Sequence, residues 1–92
     1  VWSTSGDRLY SFEQAAYFTQ TSVPLLERLV ALGLLEPDRA MLRRQDLVRV
    51  VQIQRLRRDL GLNLIGAAMV LDMAAEIAQL KAQLNAYRTT KN

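Results

Sequence analysis

Seven arginines, at 39, 43, 44, 49, 55, 57 and 58, are crowded into twenty residues, and only Asp46 opposes them there. Guanidinium groups at this density are either a footprint for phosphates or the solvated face of a helix. The carboxylates are spread more evenly, at Asp7, Glu13, Glu27, Glu36, Asp38, Asp46, Asp59, Asp72 and Glu76. Histidine and cysteine are both absent. Imidazole and thiolate metal ligands, Ser-His and Cys-His nucleophile pairs and most acid–base relays are therefore missing together. The four glycines, at 6, 33, 61 and 66, are isolated, so no phosphate-cradling loop is present. This inventory predicts a binding protein rather than an enzyme, with no cofactor and no metal. The lack of cysteine also fits a reducing cytoplasm.

Ninety-two residues make one small domain with a modest core, to which a dimer interface would be a natural supplement. No apolar run approaches the roughly 20 residues of a membrane span. The opening Val-Trp-Ser-Thr-Ser-Gly lacks the charged-then-apolar order of a signal peptide. Residues 1–9 read as a flexible start, and a cytoplasmic protein without membrane association is expected.

The apolar residues recur at helical spacing, predicting an all-α fold. Ser11 is placed to cap a first helix ending near Phe18, with Phe12, Ala15, Ala16 and Tyr17 turned inward. After a turn at Thr19–Ser22, Ser22 caps a second helix with Pro24 in its first turn. Leu25, Leu26, Leu29, Val30 and Leu32 form its buried face, and Gly33 ends it. A polar cap, one amphipathic helix, a glycine stop and an apolar exit to Pro37 make the frame of a helix-turn-helix second helix. The positions that DNA readers fill with arginine, asparagine or tyrosine hold Leu26, Glu27, Leu29 and Val30. The frame is present and the reading residues are not, which points to a protein partner.

A third helix is predicted from about Arg43 to Leu60, ended by Gly61, with Leu47, Val50, Val51, Ile53, Leu56 and Leu60 as its apolar stripe. Asn63 caps a fourth through Leu64, Ile65, Ala68, Met69 and Leu71, in which Gly66 suggests close approach of a neighbouring element. Asp72 either caps a fifth helix or lies within a continuous one. Val70, Met73, Ile77, Leu80, Leu84 and Tyr87 follow one another at steps of 3, 4, 3, 4 and 3, the a/d seam of a short coiled coil. The seam folds back on the domain or pairs with a second copy. Pairing is favoured, because the preceding helices can close their own core. The resulting division is 1–9 flexible, 10–71 a helical domain, and 72–92 a dimerisation helix centred on Met73, Ile77, Leu80, Leu84 and Tyr87, fraying from Arg88.

In this order the elements resemble the MerR superfamily from Tyr10 to about Leu84. The resemblance rests on Gly33-Leu34-Leu35-Glu36-Pro37, on Gln45-Asp46-Leu47 and on Arg55-Leu56-Arg57-Arg58-Asp59-Leu60-Gly61-Leu62-Asn63-Leu64. It implies a winged helix-turn-helix, a basic helix, and a terminal dimerising helix. DNA-binding members show a Thr-hydrophobic-Arg-Tyr-Tyr-Glu run before the Gly-Leu. Aligned on Gly33-Leu34, its arginine falls on Glu27 and its tyrosines on Arg28 and Leu29. The wing is reduced to Asp38-Arg39-Ala40-Met41-Leu42. In both departures, and in Ile77-Ala78-Gln79-Leu80-Lys81, the chain is similar to the CbpM-type chaperone modulators, although its connection is shorter still.

That similarity implies a partner, the J-domain of a DnaJ/CbpA-type co-chaperone, and inhibition by competition with Hsp70; an assembly factor joining the two would fit equally. J-domains present a basic helix, so the docking surface should be acidic. Asp46 can favour a helix start, Asp59 can pair with Arg55, and Asp72 can cap. Glu27, Glu36 and Asp38 have no such local role and are the expected contacts. The alternative is a MerR- or HspR-like transcription regulator, for which Arg28, Arg39, Arg43 and Arg44 would touch DNA. Under the first reading, DNA binding is weak or absent.

Overall fold

The computed structural model describes Trp2 and residues 6–91. In chain order the elements are β1 (Leu9–Tyr10), α1 (Phe12–Thr19), α2 (Val23–Ala31), β2 (Leu42–Arg43), α3 (Arg44–Leu60) and α4 (Leu64–Lys91). Four helices dominate, as the apolar spacing predicts, and the two short strands are an addition to it.

Local chemistry fixes the helix ends. Ser11 and Gln14 form a reciprocal capping box: the Gln14 N–H donates to Ser11 Oγ at 3.1 Å, and the Ser11 N–H donates to Gln14 Oε1 at 3.0 Å. The first helix stops at Gln20, which adopts φ 56°. Ser22 Oγ accepts from the Leu25 N–H at 3.3 Å and starts α2. At the other end Gly33, with φ 78°, turns the chain so that the Leu34 N–H reaches the Leu29 carbonyl at 2.9 Å.

The segment expected as a shortened wing is a minimal hairpin. Asp38 and Met41 exchange two backbone hydrogen bonds, 2.8 and 3.0 Å, around Arg39 and Ala40. Both turn residues have positive φ, 51° and 61°, the pattern of a two-residue hairpin turn whose twist matches the strands. The strand that leaves it, β2, pairs antiparallel with β1, placing Leu9 opposite Arg43 and Tyr10 opposite Leu42.

The buried Asp46 carboxylate accepts the Arg43 N–H at 2.9 Å and so opens α3. Gly61, at φ 67°, closes it, and α4 leaves at 110°. The start of α4 is tied by Asn63, whose Oδ1 accepts the Gly66 N–H at 2.7 Å. A Cβ on Gly66 would meet that same oxygen at 3.1 Å. The close approach expected at Gly66 is therefore with its own cap, not with another element.

Leu26, Leu29, Leu42, Val50 and Ile53 are the largest side chains sealed in the core, with Ala15, Leu35, Leu64, Ala67 and Ala68 around them. Tyr17, Leu32, Val51 and Leu60, all expected inside, are exposed. Leu32 follows the last residue of α2, and Leu60 is the last of α3, where the chain turns away before an element can cover them. Val51 lies roughly 100° around α3 from Val50 and belongs to its opposite side. Ile65 and Met69 on α4 are exposed as well.

Beyond its first turns α4 projects from the body. Twenty-eight residues span about 42 Å. The radius of gyration is 16.0 Å, against about 12 Å for a compact chain of this length. Asp72 lies inside this single helix and caps nothing, and the helix continues to Lys91 through the residues expected to fray. Part of that expectation, and part of the flexible start, falls on residues 92, 1 and 3–5, outside the described residues. Among the described residues no single helix is long and apolar enough to cross a membrane.

Candidate interaction surfaces

Helix α2 buries Leu26 and Leu29 against the core, leaving Pro24, Glu27, Arg28 and Ala31 as its outward face. Proline and alanine carry no group able to read a base edge, and Glu27 repels a phosphate backbone. Leu26, Leu29 and Val30, which stand where readers would be expected, are buried or half-buried.

The arginine run does not form one surface. Arg43 is spent inward: one guanidinium nitrogen lies 3.2 Å from Asp38 and another donates to the Glu36 carbonyl at 3.4 Å. Arg49 donates from Nε to the Leu34 carbonyl at 2.9 Å and from Nη1 to Asp72 at 3.2 Å. Arg57 bonds Gln54 at 2.9 Å, and Arg58 lies 3.3 Å from Asp59. Asp59 thus takes its neighbour in sequence rather than Arg55. Among the described residues Arg28, Arg44 and Arg55 make no ion pair. Of the four DNA-contact candidates, Arg28 is on α2, Arg39 is exposed at the hairpin tip, Arg43 is committed, and Arg44 faces a groove beside Tyr10.

The acidic candidates divide in the same way. Glu27 and Glu36 are exposed and make no ion pair among the described residues. Asp38 does have a local partner: its carboxylate is half-buried, 3.2 Å from Arg43 and 3.7 Å from Arg39. Its charge holds the hairpin base and is largely neutralised. Sequence spacing could not reveal this, because Arg43 reaches Asp38 only across the closed turn. A shallow depression of about 310 Å³ at the α2 exit instead brings Glu36 together with Asp72 of α4, beside Arg43 and Arg49.

Along the projecting part of α4, Met73, Ile77, Leu80, Leu84 and Tyr87 are all exposed, as is Val70. They keep the seam spacing on a continuous helix whose first turns are anchored by Leu64, Ala67 and Ala68. Sequence reasoning missed a further cluster: Arg8, Tyr10 and Phe18 beside Val48 and Val51 of α3. The available signal was that apolar residues at 48 and 51 fall on the side of α3 opposite Val50 and Ile53.

Residues 11–89 match the family model described as MerR HTH family regulatory protein. No solved structure matches the chain.

Proposed function

We propose that this chain, which belongs to the MerR helix-turn-helix family of regulatory proteins, is a non-enzymatic protein-binding member that modulates a J-domain co-chaperone. The observation that carries this reading is the outward face of α2, where Pro24, Glu27, Arg28 and Ala31 stand on a helix-turn-helix frame. A face with one carboxylate and no base-reading amide suits a basic protein surface better than a duplex. Glu27 and Glu36 would meet the basic helix of the J-domain, and occupation of that helix would exclude Hsp70. Asp38 serves the hairpin instead.

The seam on α4 supports a homodimer. Short isolated helices fail because nucleation is costly. Here the helix is already nucleated by the core, so pairing needs only to cover side chains that are worth roughly 1.5–3 kcal/mol each when fully buried.

A second reading, a DNA-binding regulator, draws on Arg28 of α2 and on Arg39 at the hairpin tip, both exposed. Fluorescence anisotropy separates the two. The modulator reading expects saturable binding of the J-domain from a cognate co-chaperone, together with DNA binding that is indifferent to sequence and collapses as salt rises. A specific operator bound at about nanomolar Kd near physiological salt would reverse the ranking, since non-specific contacts give only about 10⁻⁴–10⁻⁶ M.

A further inference from the structure

Helix α3 has two faces. One carries Val50 and Ile53 into the core. The other presents Arg44, Val48, Val51, Arg55 and Arg58 at steps of 4, 3, 4 and 3, within about 80° of the helix circumference. The first four of these residues, Arg44 to Arg55, form the floor of an open groove of about 530 Å³ between α3 and the β1–α1 segment. Tyr10 and Phe18 form the opposite wall, their rings packed edge to face with centroids 5.8 Å apart. Phe18 is 59 % exposed, Val48 48 % and Val51 40 %, so the apolar middle of the groove is open to solvent.

Charge frames that middle. Arg8 stacks over Tyr10, 5.4 Å from the ring centroid, and lies with Arg44 in the groove lining. A second depression, of about 620 Å³, shares these two residues with Val48. A third, of about 330 Å³, continues past Val51 and Arg55 to Arg58. Among the described residues no carboxylate lines the central groove, and Asp7 is the one acidic residue in the lining of the second depression. From Arg44 to Arg55 the axial distance is about 16 Å, the rise of three helical turns.

We propose that this groove binds an amphipathic helical segment of a partner protein, with apolar anchors at its centre and carboxylates near both ends. The chemistry selects against the alternatives. Nucleic acid would satisfy the arginines but offers little to cover Phe18, Val48 and Val51. The basic helix of a J-domain would be repelled, so this surface is separate from the one carrying Glu27 and Glu36, and the proposal does not depend on the J-domain reading. A second copy offers the α4 seam, whose surroundings mix Glu76 with Lys81 and Arg88 and so do not match a rim in which arginines outnumber carboxylates. An acidic amphipathic helix meets both demands, with apolar side chains at i, i+4 and i+7 in the groove and the charges on Arg44 and Arg55.

The test uses the full chain and a labelled helical peptide with leucines at i, i+4 and i+7 and glutamates flanking them about 11 residues apart. A scrambled peptide of the same composition and a version with lysines in place of the glutamates serve as controls. The expected result is saturable binding of the glutamate peptide alone. Arg44→Glu with Arg55→Glu should weaken it roughly thirtyfold and should confer binding of the lysine peptide, the swap that shows the variant is folded. Val48→Asp with Val51→Asp should abolish binding while circular dichroism stays unchanged. Equal binding of the scrambled or lysine peptide to the wild type, or no effect of the arginine reversals, overturns the proposal. So does displacement of the peptide by a short DNA duplex whose own binding needs Arg44 and Arg55. A fall in oligomeric state caused by Val48→Asp with Val51→Asp would assign the groove to a second copy instead.

Discussion

Arg49 of α3 lies 3.2 Å from Asp72 of α4, and the same guanidinium donates to the Leu34 carbonyl at 2.9 Å. One side chain thereby ties the exit of α2, the basic helix and the projecting helix together. The two bonds differ in weight. Asp72 is 67 % exposed and its ion pair is screened by water, whereas the bond to the carbonyl is part-buried.

Arg49→Ala should therefore cost about 1–2 kcal/mol by urea unfolding, and Asp72→Ala about 0.5 kcal/mol or less. Equal losses would transfer the importance to the ion pair.

The hairpin holds two non-glycine residues at positive φ, Arg39 at 51° and Ala40 at 61°. Replacing them with Asn and Gly removes a steric penalty of about 1 kcal/mol or more, and the melting temperature should rise. A lower melting temperature would mean that Arg39 contributes more through Asp38 than the turn costs.

Because Asp38 is held by Arg43 while Glu27 and Glu36 are not held, charge reversal should separate them. Glu27→Lys with Glu36→Lys should weaken J-domain binding roughly ten- to a hundredfold in calorimetric titration and leave stability within about 0.5 kcal/mol. Asp38→Lys should instead lower stability, since it sets a third cation beside Arg39 and Arg43. If the Glu27 and Glu36 reversals leave the affinity unchanged, the contact lies on another face.

Replacing Ile77 and Leu80 together with Asp should convert a dimer to a monomer by light scattering. Both side chains are exposed in the single chain, so the helical far-ultraviolet circular dichroism of the body should persist. A variant that remains dimeric places the interface elsewhere.

The elements legible in the sequence are those whose causes are local. Ser11, Ser22, Gly33 and Asn63 each terminate or start a helix through bonds to residues at most five positions away, and Gly61 ends one through its own positive φ, so residue type and spacing reveal them. The misreadings come from distance. Tyr10 and Leu42 pair across the two helices between them, and a strand of two residues has no periodicity to detect. Asp72 fits either a cap or the interior of a continuous helix until the unbroken α4 decides between them and brings it beside Arg49. Val51 satisfies a step-of-three-or-four pattern that fits either side of α3, and only the placement of α1 and β1 decides which side the core takes, whereas Leu60 lies on the core side but past the last covering element. Of the candidate contact residues, Glu27 and Glu36 are exposed on α2 and its exit, while the Asp38 partner and the Tyr10–Phe18 wall required the folded chain.

The unbroken α4 makes the tail a rigid shaft keyed to the core at Ala67 and Ala68. Any gearing between whatever the tip grips and whatever the body holds is then set by phase along that shaft. One residue inserted after Asp72 would advance the tip by about 1.5 Å and turn the seam by about 100°, which in a dimer paired along that seam would swing the two bodies to a new relative heading. Seven inserted residues would nearly restore the heading and lengthen the reach by about 10 Å. The spacing between Ala68 and Met73 is thus an angular setting, and a partner that must touch both bodies of a pair would sense a single-residue change there more keenly than the loss of one surface charge.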